Sequence, residues 1–272
     1  MENAVLFLGT GGDSIVVGKQ ARASGGIVFE LDGNQFLLDP GPGCLARARQ
    51  GGVSIRDTIA VLVSHAHVNH ATELNAVLEA LSVSGLDRFG VVVASKKVVK
   101  GDSEAFPVLQ RRSRDFVERV LELGPGKRVG INNINVITTK TRHFDSEGIG
   151  FILETPKYSI GYTSDTEYTQ EIAEQYKNCG LLILNCKYPG DEAKPGHLCS
   201  VDAAKFLNTA QPKLGVITHF GIKMIEADPI YEAREIQKQA GVEVVAAKDG
   251  LMINPNSFST RMKQVKLDTF KE

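Results

Sequence analysis

Three histidines, His65, His67 and His70, lie within six consecutive positions of a chain that has six histidines in 272 residues. Alternate side chains of an extended segment point to the same side, so His65 and His67 project together. The first turn of a following helix brings His70 back towards the same point. Imidazole is a ligand for zinc and iron, and the spacing therefore predicts a metal site. The alternative is a solvated polar loop that is rich in histidine by chance.

His143, Asp165 and His219 each follow a predicted strand further along the chain. An isolated histidine in such a position is usually structural, and an isolated aspartate usually belongs to a turn or a helix cap. Together with the first cluster, however, they supply what a two-metal site needs, namely several imidazoles and a carboxylate that both ions share. We expect one or two Zn²⁺ ions, with Mn²⁺ or iron as alternatives.

Strand-like and helix-like segments of an α/β pattern separate these residues. Continuous β-branched runs predict buried strands, and an apolar stripe at i, i+3, i+4 and i+7 predicts a helix. The predicted strands are Val5–Leu8, Gly26–Leu31, Gln35–Asp39, Ile59–Val63, Val91–Ala94, Val136–Thr139, Gly150–Glu154, Ser159–Thr163, Leu181–Asn185 and Leu214–Thr218. The predicted helices are Cys44–Gln50, Leu74–Leu81, Val201–Thr209 and Pro229–Ala240. This alternation predicts helices that cover a pair of packed sheets.

The pattern predicts one domain over residues 1–255 and a polar C-terminal appendage over residues 256–272. Within the charged segment 96–128, Phe116, Val120 and Leu123 have helical spacing. A turn at Lys248-Asp249-Gly250 predicts a final pair of adjacent strands.

The charge balance is close to zero, with a net charge of −1, which excludes a basic coat for nucleic acid. The basic residues that do cluster, between Lys96 and Arg114, alternate with acidic ones, and we interpret them as a solvated face rather than as phosphate contacts. No apolar run is long enough to span a membrane, and the N-terminus lacks the basic start of a signal peptide. Four cysteines without a CxxC pair favour a reducing, cytoplasmic location. The sequence leaves homo-oligomerisation open.

Two glycine-rich segments and one cysteine have simpler explanations than ligand binding. The run Gly9–Gly12 lacks the spacing of a dinucleotide-binding loop. The turn Gly41-Pro42-Gly43 precedes a helix and either presents its amides to an anion or is a plain tight turn. Cys199 lies two residues after His197, but we interpret it as a small buried hydrophobe.

The motif His65-x-His67-x-Asn69-His70, with the later His143, Asp165 and His219, resembles the HxHxDH signature of the metallo-β-lactamase superfamily. Three further segments, listed here, resemble the branch that contains ribonuclease Z and related phosphodiesterases: Phe7-Leu8-Gly9-Thr10-Gly11-Gly12, Leu38-Asp39-Pro40-Gly41 and Pro195-Gly196-His197-Leu198-Cys199-Ser200. The resemblance spans residues 4–253 and implies an αββα sandwich with metals at one edge of the sheets.

The resemblance also implies a role for each residue of the motif. His65, His67 and His143 would bind one metal; Asn69, His70 and His219 fall where the ligands of a second lie; Asp165 would bridge the two. Asp39 would orient a ligand histidine. His197 would stabilise or protonate the leaving oxygen of a phosphodiester. The implied activity is that of a metal-dependent phosphodiesterase or nuclease-like hydrolase, in which metal-activated hydroxide attacks phosphorus.

The signature normally has aspartate where this chain has Asn69. An amide offers a neutral carbonyl oxygen instead of a charged ligand, so we expect weaker binding of a second metal; alternatively, Asn69 is the N-cap of the next helix. We expect a small or locally bound phosphodiester. RNA stays open as a substrate, although the net charge does not indicate it. The alternatives are hydrolysis of thioesters or lactones on the same metals, or a degenerate metal-binding protein with little hydrolytic activity.

Overall fold

Two mixed β-sheets pack face to face, with helices over their outer surfaces, in the computed structural model, which describes residues 3–258. The predicted α/β class and αββα sandwich are therefore confirmed.

The strands are β1 (Ala4–Phe7), β2 (Ile27–Leu31), β3 (Asn34–Leu38), β4 (Thr58–Val63), β5 (Val91–Ala94), β6 (Arg119–Glu122), β7 (Arg128–Ile131), β8 (Ile134–Lys140), β9 (Ile149–Glu154), β10 (Ser159–Tyr162), β11 (Leu181–Tyr188), β12 (Leu198–Cys199), β13 (Leu214–Thr218), β14 (Glu243–Ala246) and β15 (Met252–Ile253). The α-helices are α1 (Ser14–Gly18), α2 (Cys44–Gln50), α3 (Val68–Ala71), α4 (Leu74–Leu81), α5 (Lys96–Lys100), α6 (Arg111–Arg114), α7 (Gln170–Glu174), α8 (Ser200–Ala210), α9 (Ile222–Glu226) and α10 (Pro229–Ala240). Short 3-10 turns occupy Ile55–Asp57 and Pro255–Phe258.

Each sheet is antiparallel on one side and parallel on the other. The first sheet has the order β15-β1-β2-β3-β4-β5-β6, and its strands are parallel from β3 to β6. The second has the order β14-β13-β11-β10-β9-β8-β7, with β12 beside β11, and its strands are parallel from β14 to β10. The carboxyl ends of the parallel strands collect the loops that contain the histidines, as expected for ligand sites in α/β sheets.

Three apolar layers hold the sandwich together. Phe29 and Phe36 of the first sheet meet Phe151 of the second in the central layer. The other two layers lie outside the sheets, one beneath α2, α4 and α5 and the other beneath α7, α8 and α10. Helix α4 buries its whole predicted stripe, comprising Leu74, Val77, Leu78 and Leu81. Burial of this apolar surface is the main favourable contribution to folding.

The helical spacing of Phe116, Val120 and Leu123 proved misleading. The segment around Val120 forms strand β6, which pairs in parallel with β5. Backbone pairing with an otherwise open sheet edge satisfies more hydrogen bonds than an isolated helical turn would, and this tertiary contribution outweighs the local pattern.

The strand pair predicted around Lys248-Asp249-Gly250 was also wrong. Strand β14, before the turn, pairs with β13 in the second sheet, and strand β15, after it, pairs with β1 in the first. The turn is therefore a crossing between sheets rather than a hairpin.

The boundary of the appendage predicted for residues 256–272 remains a prediction, because residues 259–272 lie outside the described residues. Asn256, at its start, accepts a hydrogen bond from Asn3. Among the helices of residues 3–258, none combines the length and the apolar composition that a membrane crossing requires.

Candidate metal centre

The loops that follow β4, β8, β10 and β13 bring ionisable side chains from both sheets to one place. Four side chains, His65, His67, His143 and Asp165, offer ligand atoms within 4.8 Å of one another and form what we name the first metal group. His70, Asp165 and His219 satisfy the same criterion and form the second metal group. Asp165 belongs to both. The histidines predicted as ligands thus converge around the aspartate predicted to bridge them.

The distances within each group fit a tetrahedral ion. In the first metal group, His65 Nε2 lies 3.0 Å from His67 Nδ1, which lies 3.1 Å from His143 Nε2. In the second, His70 Nε2 lies 3.0 Å from His219 Nε2, and that atom lies 3.3 Å from Asp165 Oδ1. Two nitrogen ligands of one zinc ion are about 3.3 Å apart when each bond is about 2.0–2.1 Å long. Nitrogen lone pairs packed this closely repel one another unless a proton or a cation lies between them, so the donor set suits divalent ions.

Asp39, at the end of β3, orients histidines of both groups. Its Oδ2 accepts hydrogen bonds from His70 Nδ1 (2.9 Å), Ser64 Oγ (2.7 Å) and Tyr162 Oη (2.8 Å). The Ser64 hydroxyl donates its only proton to Asp39, so at 2.9 Å it accepts from His65 Nδ1. With Nδ1 of each ring held by these contacts, the Nε2 atom of each ring is directed towards the metal groups. Tyr162 belongs to the other sheet, so this carboxylate also joins the two sheets.

Asp165 is 2% exposed and its charge is balanced by its surroundings. Asn185 Nδ2 donates to its Oδ1 at 2.7 Å. Burial alone would raise the pKa of this carboxyl, but the surrounding imidazoles, His219 and His70 foremost, hold its pKa well below the usual 3.8. The carboxylate is thus ionised and available to two cations at neutral pH.

The imidazoles differ in charge in the metal-free protein. Burial lowers the pKa of His65 and of His219 well below 6.5, and lowers that of His67 in the same direction. Burial opposes protonation of His70 as well, but Asp165 and Asp39 together raise its pKa to about 10. One proton on His70 therefore occupies the space between the nitrogens of the second metal group.

Asn69 faces the second metal group instead of capping a helix. It lies inside helix α3, whose N-cap residue is His67, so the N-cap alternative is wrong. Its Nδ2 lies 3.0 Å from His219 Nε2. If the Asn69 amide rotated by half a turn, its Oδ1 would face the second metal group as a neutral ligand. An aspartate at this position would add a negative charge.

His197 lies beside both groups and contacts the same carboxylate, with its Nδ1 3.6 Å from Asp165 Oδ2. The preceding Gly196 has φ +78°, and a Cβ there would lie 2.8 Å from His143 Nδ1. The Gly196 carbonyl accepts a hydrogen bond from that nitrogen at 2.7 Å. This glycine thus brings His197 close to the site and directs His143 Nε2 towards the first metal group.

Several site residues adopt backbone conformations that residues other than glycine rarely take. Asp39, Ser164 and His219 have φ values of +49°, +58° and +64°. Such positions cost roughly 1–3 kcal/mol each and concentrate at functional sites. Gly12 permits one of them, since a Cβ there would lie 2.1 Å from the His219 carbonyl oxygen.

The turn Gly41-Pro42-Gly43 does hold an anion, but the anion is a side chain of the protein. Glu73 accepts hydrogen bonds from the amides of Gly43 (2.6 Å) and Leu45 (2.9 Å). Both alternatives considered for this turn omitted that internal cap. Cys199 is buried, as expected of a small hydrophobe.

The sequence did not single out several residues that support the site. These are Ser64, Asp145, Tyr162, Asn185 and Lys187. Asn185 and Lys187 lie near the end of β11. The criterion that singled out the histidines, a polar side chain at the end of a predicted strand, would also have found these two residues. Ser64 directly precedes the histidine motif.

Comparison with known proteins identifies the family. The model of the Beta-lactamase superfamily domain matches residues 34–220. The chain belongs to the metallo-β-lactamase superfamily. An uncharacterised protein of Methanocaldococcus jannaschii is 34% identical over 93% of this chain and 95% of its own length. A ribonuclease Z of Methanopyrus kandleri is 26% identical over 93% of this chain and 98% of its own length.

The fold agrees with that of a solved member of the superfamily. The metallo-β-lactamase fold protein YhfI of Bacillus subtilis superposes with a TM-score of 0.77 at 20% identity, covering 93% of this chain and 99% of its own. The similarity to ribonuclease Z along almost the whole chain confirms the resemblance to that branch. The chain is a metal-dependent hydrolase, and its histidine and aspartate groups are suited to divalent metal ions.

Proposed function

We propose that this hydrolase cleaves phosphodiesters, with zinc in both metal groups. The observation that carries the proposal is the shared carboxylate: Asp165 belongs to two groups of ligand atoms, and His197 Nδ1 lies 3.6 Å from it. Two cations and a hydrogen-bond donor around one point suit a tetrahedral phosphate better than a planar acyl carbonyl. The ribonuclease Z relatives support the same substrate class.

His65, His67 and His143 would hold one ion, His70 and His219 with Asn69 the other, and Asp165 both. Divalent ions held there supply an activated water and neutralise the charge of the phosphate oxygens.

His197 acts as a neutral hydrogen-bond donor in this proposal. Burial, together with the positive charge of Lys187, lowers its pKa to about 4, so at pH 7 the imidazole is uncharged. Lys187 Nζ lies 3.2 Å from its Nε2; because an ammonium group only donates, the ring proton sits on Nδ1, on the side of Asp165. This N–H stabilises a phosphate oxygen as charge develops on it.

The substrate is a small phosphodiester or one that is bound locally at the metals. Acidic partners neutralise the lysines of the basic segment: Lys96 pairs with Glu147, and Lys97 pairs with Asp102. These two lysines are therefore not free cations for a nucleic-acid backbone. The four cysteines are free and buried, which supports a cytoplasmic location.

Hydrolysis of bis(p-nitrophenyl) phosphate with Zn²⁺ or Mn²⁺ tests the proposal. We expect His67→Ala to lower kcat/KM at least 100-fold, because a ligand is lost, and His197→Ala to lower it about 10- to 100-fold, because a donor to the transition state is lost. Tyr231→Ala, on an exposed position of α10, is the control. Equal rates in the wild type and both histidine variants would refute the assignment, and His197→Ala that keeps full activity only on thioesters or lactones would favour acyl substrates.

Metal stoichiometry tests the role of Asn69. A neutral amide binds a cation less strongly than a carboxylate, so we propose that the second ion is held more weakly than the first. Mild chelation should remove one equivalent of zinc from the wild type and none from Asn69→Asp. Two equivalents that resist chelation in the wild type would contradict this proposal.

A further inference from the structure

Lys187, near the end of β11, is a cation without an acidic partner at the edge of the metal centre. Its Nζ lies 3.2 Å from His197 Nε2 and 5.7 Å from the centre of the Tyr188 ring. No carboxylate within residues 3–258 forms an ion pair with it, whereas nearby Lys223 pairs with Glu192. Lys187 is also half-buried, so its charge is less screened by water than that of an exposed lysine.

The contact with Lys187 also determines what His197 offers to the site. Because the ammonium group donates to Nε2, Nδ1 carries the ring proton. That Nδ1 is buried, has no hydrogen-bond partner and lies 3.6 Å from Asp165 Oδ2. A buried donor without an acceptor is destabilising, and an external acceptor would remove that cost.

The Lys187 ammonium has no carboxylate partner, and the His197 Nδ1–H has no acceptor. Together the two donors are suited to binding an oxyanion. Lys187 uses one of its three N–H bonds on His197 and has two left. We propose that Lys187 and His197 form a phosphate-binding subsite, in which Lys187 fixes the tautomer of His197 and supplies a permanent positive charge to the substrate. This inference rests on the proposed phosphodiesterase function and adds its specificity: the subsite favours anionic phosphodiesters over neutral lactones and thioesters.

Binding of inorganic phosphate to the zinc-loaded protein, measured by calorimetry, tests the subsite without any turnover. A hydrogen bond to a charged group is stronger than one between neutral groups, and partial exposure of Lys187 reduces its strength. Lys187→Met should therefore weaken phosphate binding about tenfold. Lys187→Arg, which keeps the charge, should bind within about threefold of the wild type.

Lys194 provides a matched control. Its Nζ also lies near the Tyr188 ring, 5.5 Å from the ring centre, but its side chain is exposed and makes no hydrogen bond to the His197 imidazole. Its backbone carbonyl accepts the His197 amide proton, a bond that Lys194→Met keeps. Lys194→Met should bind phosphate as the wild type does. The proposal is overturned if Lys187→Met keeps wild-type phosphate affinity, if Lys194→Met loses as much, or if Lys187→Arg fails to recover it.

A spectroscopic readout separates positioning of His197 from general loss of structure. In ¹⁵N–¹H spectra of the zinc-loaded wild type, His197 should show an unprotonated Nε2, and Lys187→Met should lose that signature while the signals of the other histidines stay in place. An unchanged His197 tautomer in Lys187→Met would overturn the positioning role.

Failure of this subsite is distinguishable from failure of the phosphodiesterase proposal. If no metal-loaded form hydrolyses a phosphodiester, the proposed function fails, and phosphate affinity still decides the subsite. If the wild type hydrolyses phosphodiesters and Lys187→Met matches it in kcat, KM and phosphate affinity, the subsite alone is refuted.

Discussion

Replacing Asp39 by asparagine should weaken both metal groups at once. The carboxylate accepts from the Ser64 amide (2.7 Å) and, on Oδ2, from Ser64 Oγ, His70 Nδ1 and Tyr162 Oη at 2.7–2.9 Å. In Asp39→Asn, an NH₂ group in the position of Oδ2 would face three donors. The backbone is not the cause of any loss, because asparagine tolerates the φ of +49° found here.

The expected magnitude follows from those contacts. The two hydroxyls can rotate towards other acceptors, but the His70 ring cannot without leaving the site. Breaking one buried charged interaction costs about 3–5 kcal/mol of the free energy of unfolding, and loss of a partner that orients a ligand lowers metal affinity about 10- to 100-fold. We therefore expect both losses in Asp39→Asn.

Ser64→Ala is the matched comparison. The hydroxyl links Asp39 only to His65, so its removal should lower the affinity of the first metal group about tenfold and leave the second unchanged. Competition with a chromophoric chelator measures each affinity, and urea unfolding of the metal-free variants measures stability. Wild-type affinity for both equivalents in Asp39→Asn, or an equal loss at both groups in Ser64→Ala, would refute the reasoning.

Three further predictions concern the same site and its support. Gly196→Ala places a Cβ 2.8 Å from His143 Nδ1, so metal analysis should find the first metal group depleted; full occupancy would contradict this. The raised pKa of His70, about 10, contributes stability to the metal-free protein that is complete below pH 6.5 and disappears as the pH rises towards 10. Zinc uptake at pH 8 should accordingly release about one proton from the second metal group, measurable by calorimetry in buffers of different ionisation enthalpy, and uptake without proton release would count against the charged His70. Glu73→Gln weakens the cap on two amides at the start of α2, those of Gly43 and Leu45. It should lower the free energy of unfolding by about 1–2 kcal/mol in urea titrations without changing metal content; a loss of metal would show that this carboxylate acts on the site.

Periodicity in the sequence was enough to predict most of the sandwich. Helix α4 and strand β13 have the predicted bounds, because each buries a continuous apolar surface that leaves a clear pattern. Strand β6 and the crossing from β14 to β15 were missed, since each depends on a partner strand distant in the sequence. Local spacing carries no information about an open sheet edge.

The candidate site divides in the same way. The histidine motif was visible because its residues are adjacent in the chain, and Asp39 was identified through the resemblance. The orientation of Asn69 could not be predicted from the sequence, because asparagine is equally suited to capping a helix and to binding a metal. Lys187 meets His197 only after β11 and the loop that follows it have folded together, and one lysine among 31 basic residues has no distinguishing pattern.

The two sheets each contribute to both metal groups, His65, His67 and His70 from the first and His143, Asp165 and His219 from the second. An ion bound there is a cross-link between the halves of the sandwich, and it must lose ligands whenever the halves separate. The metal therefore dissociates at least as fast as this interface opens. Metal loading should accordingly confer kinetic stability, since a protein that has lost its ions exposes the central layer around Phe29, Phe36 and Phe151 more readily.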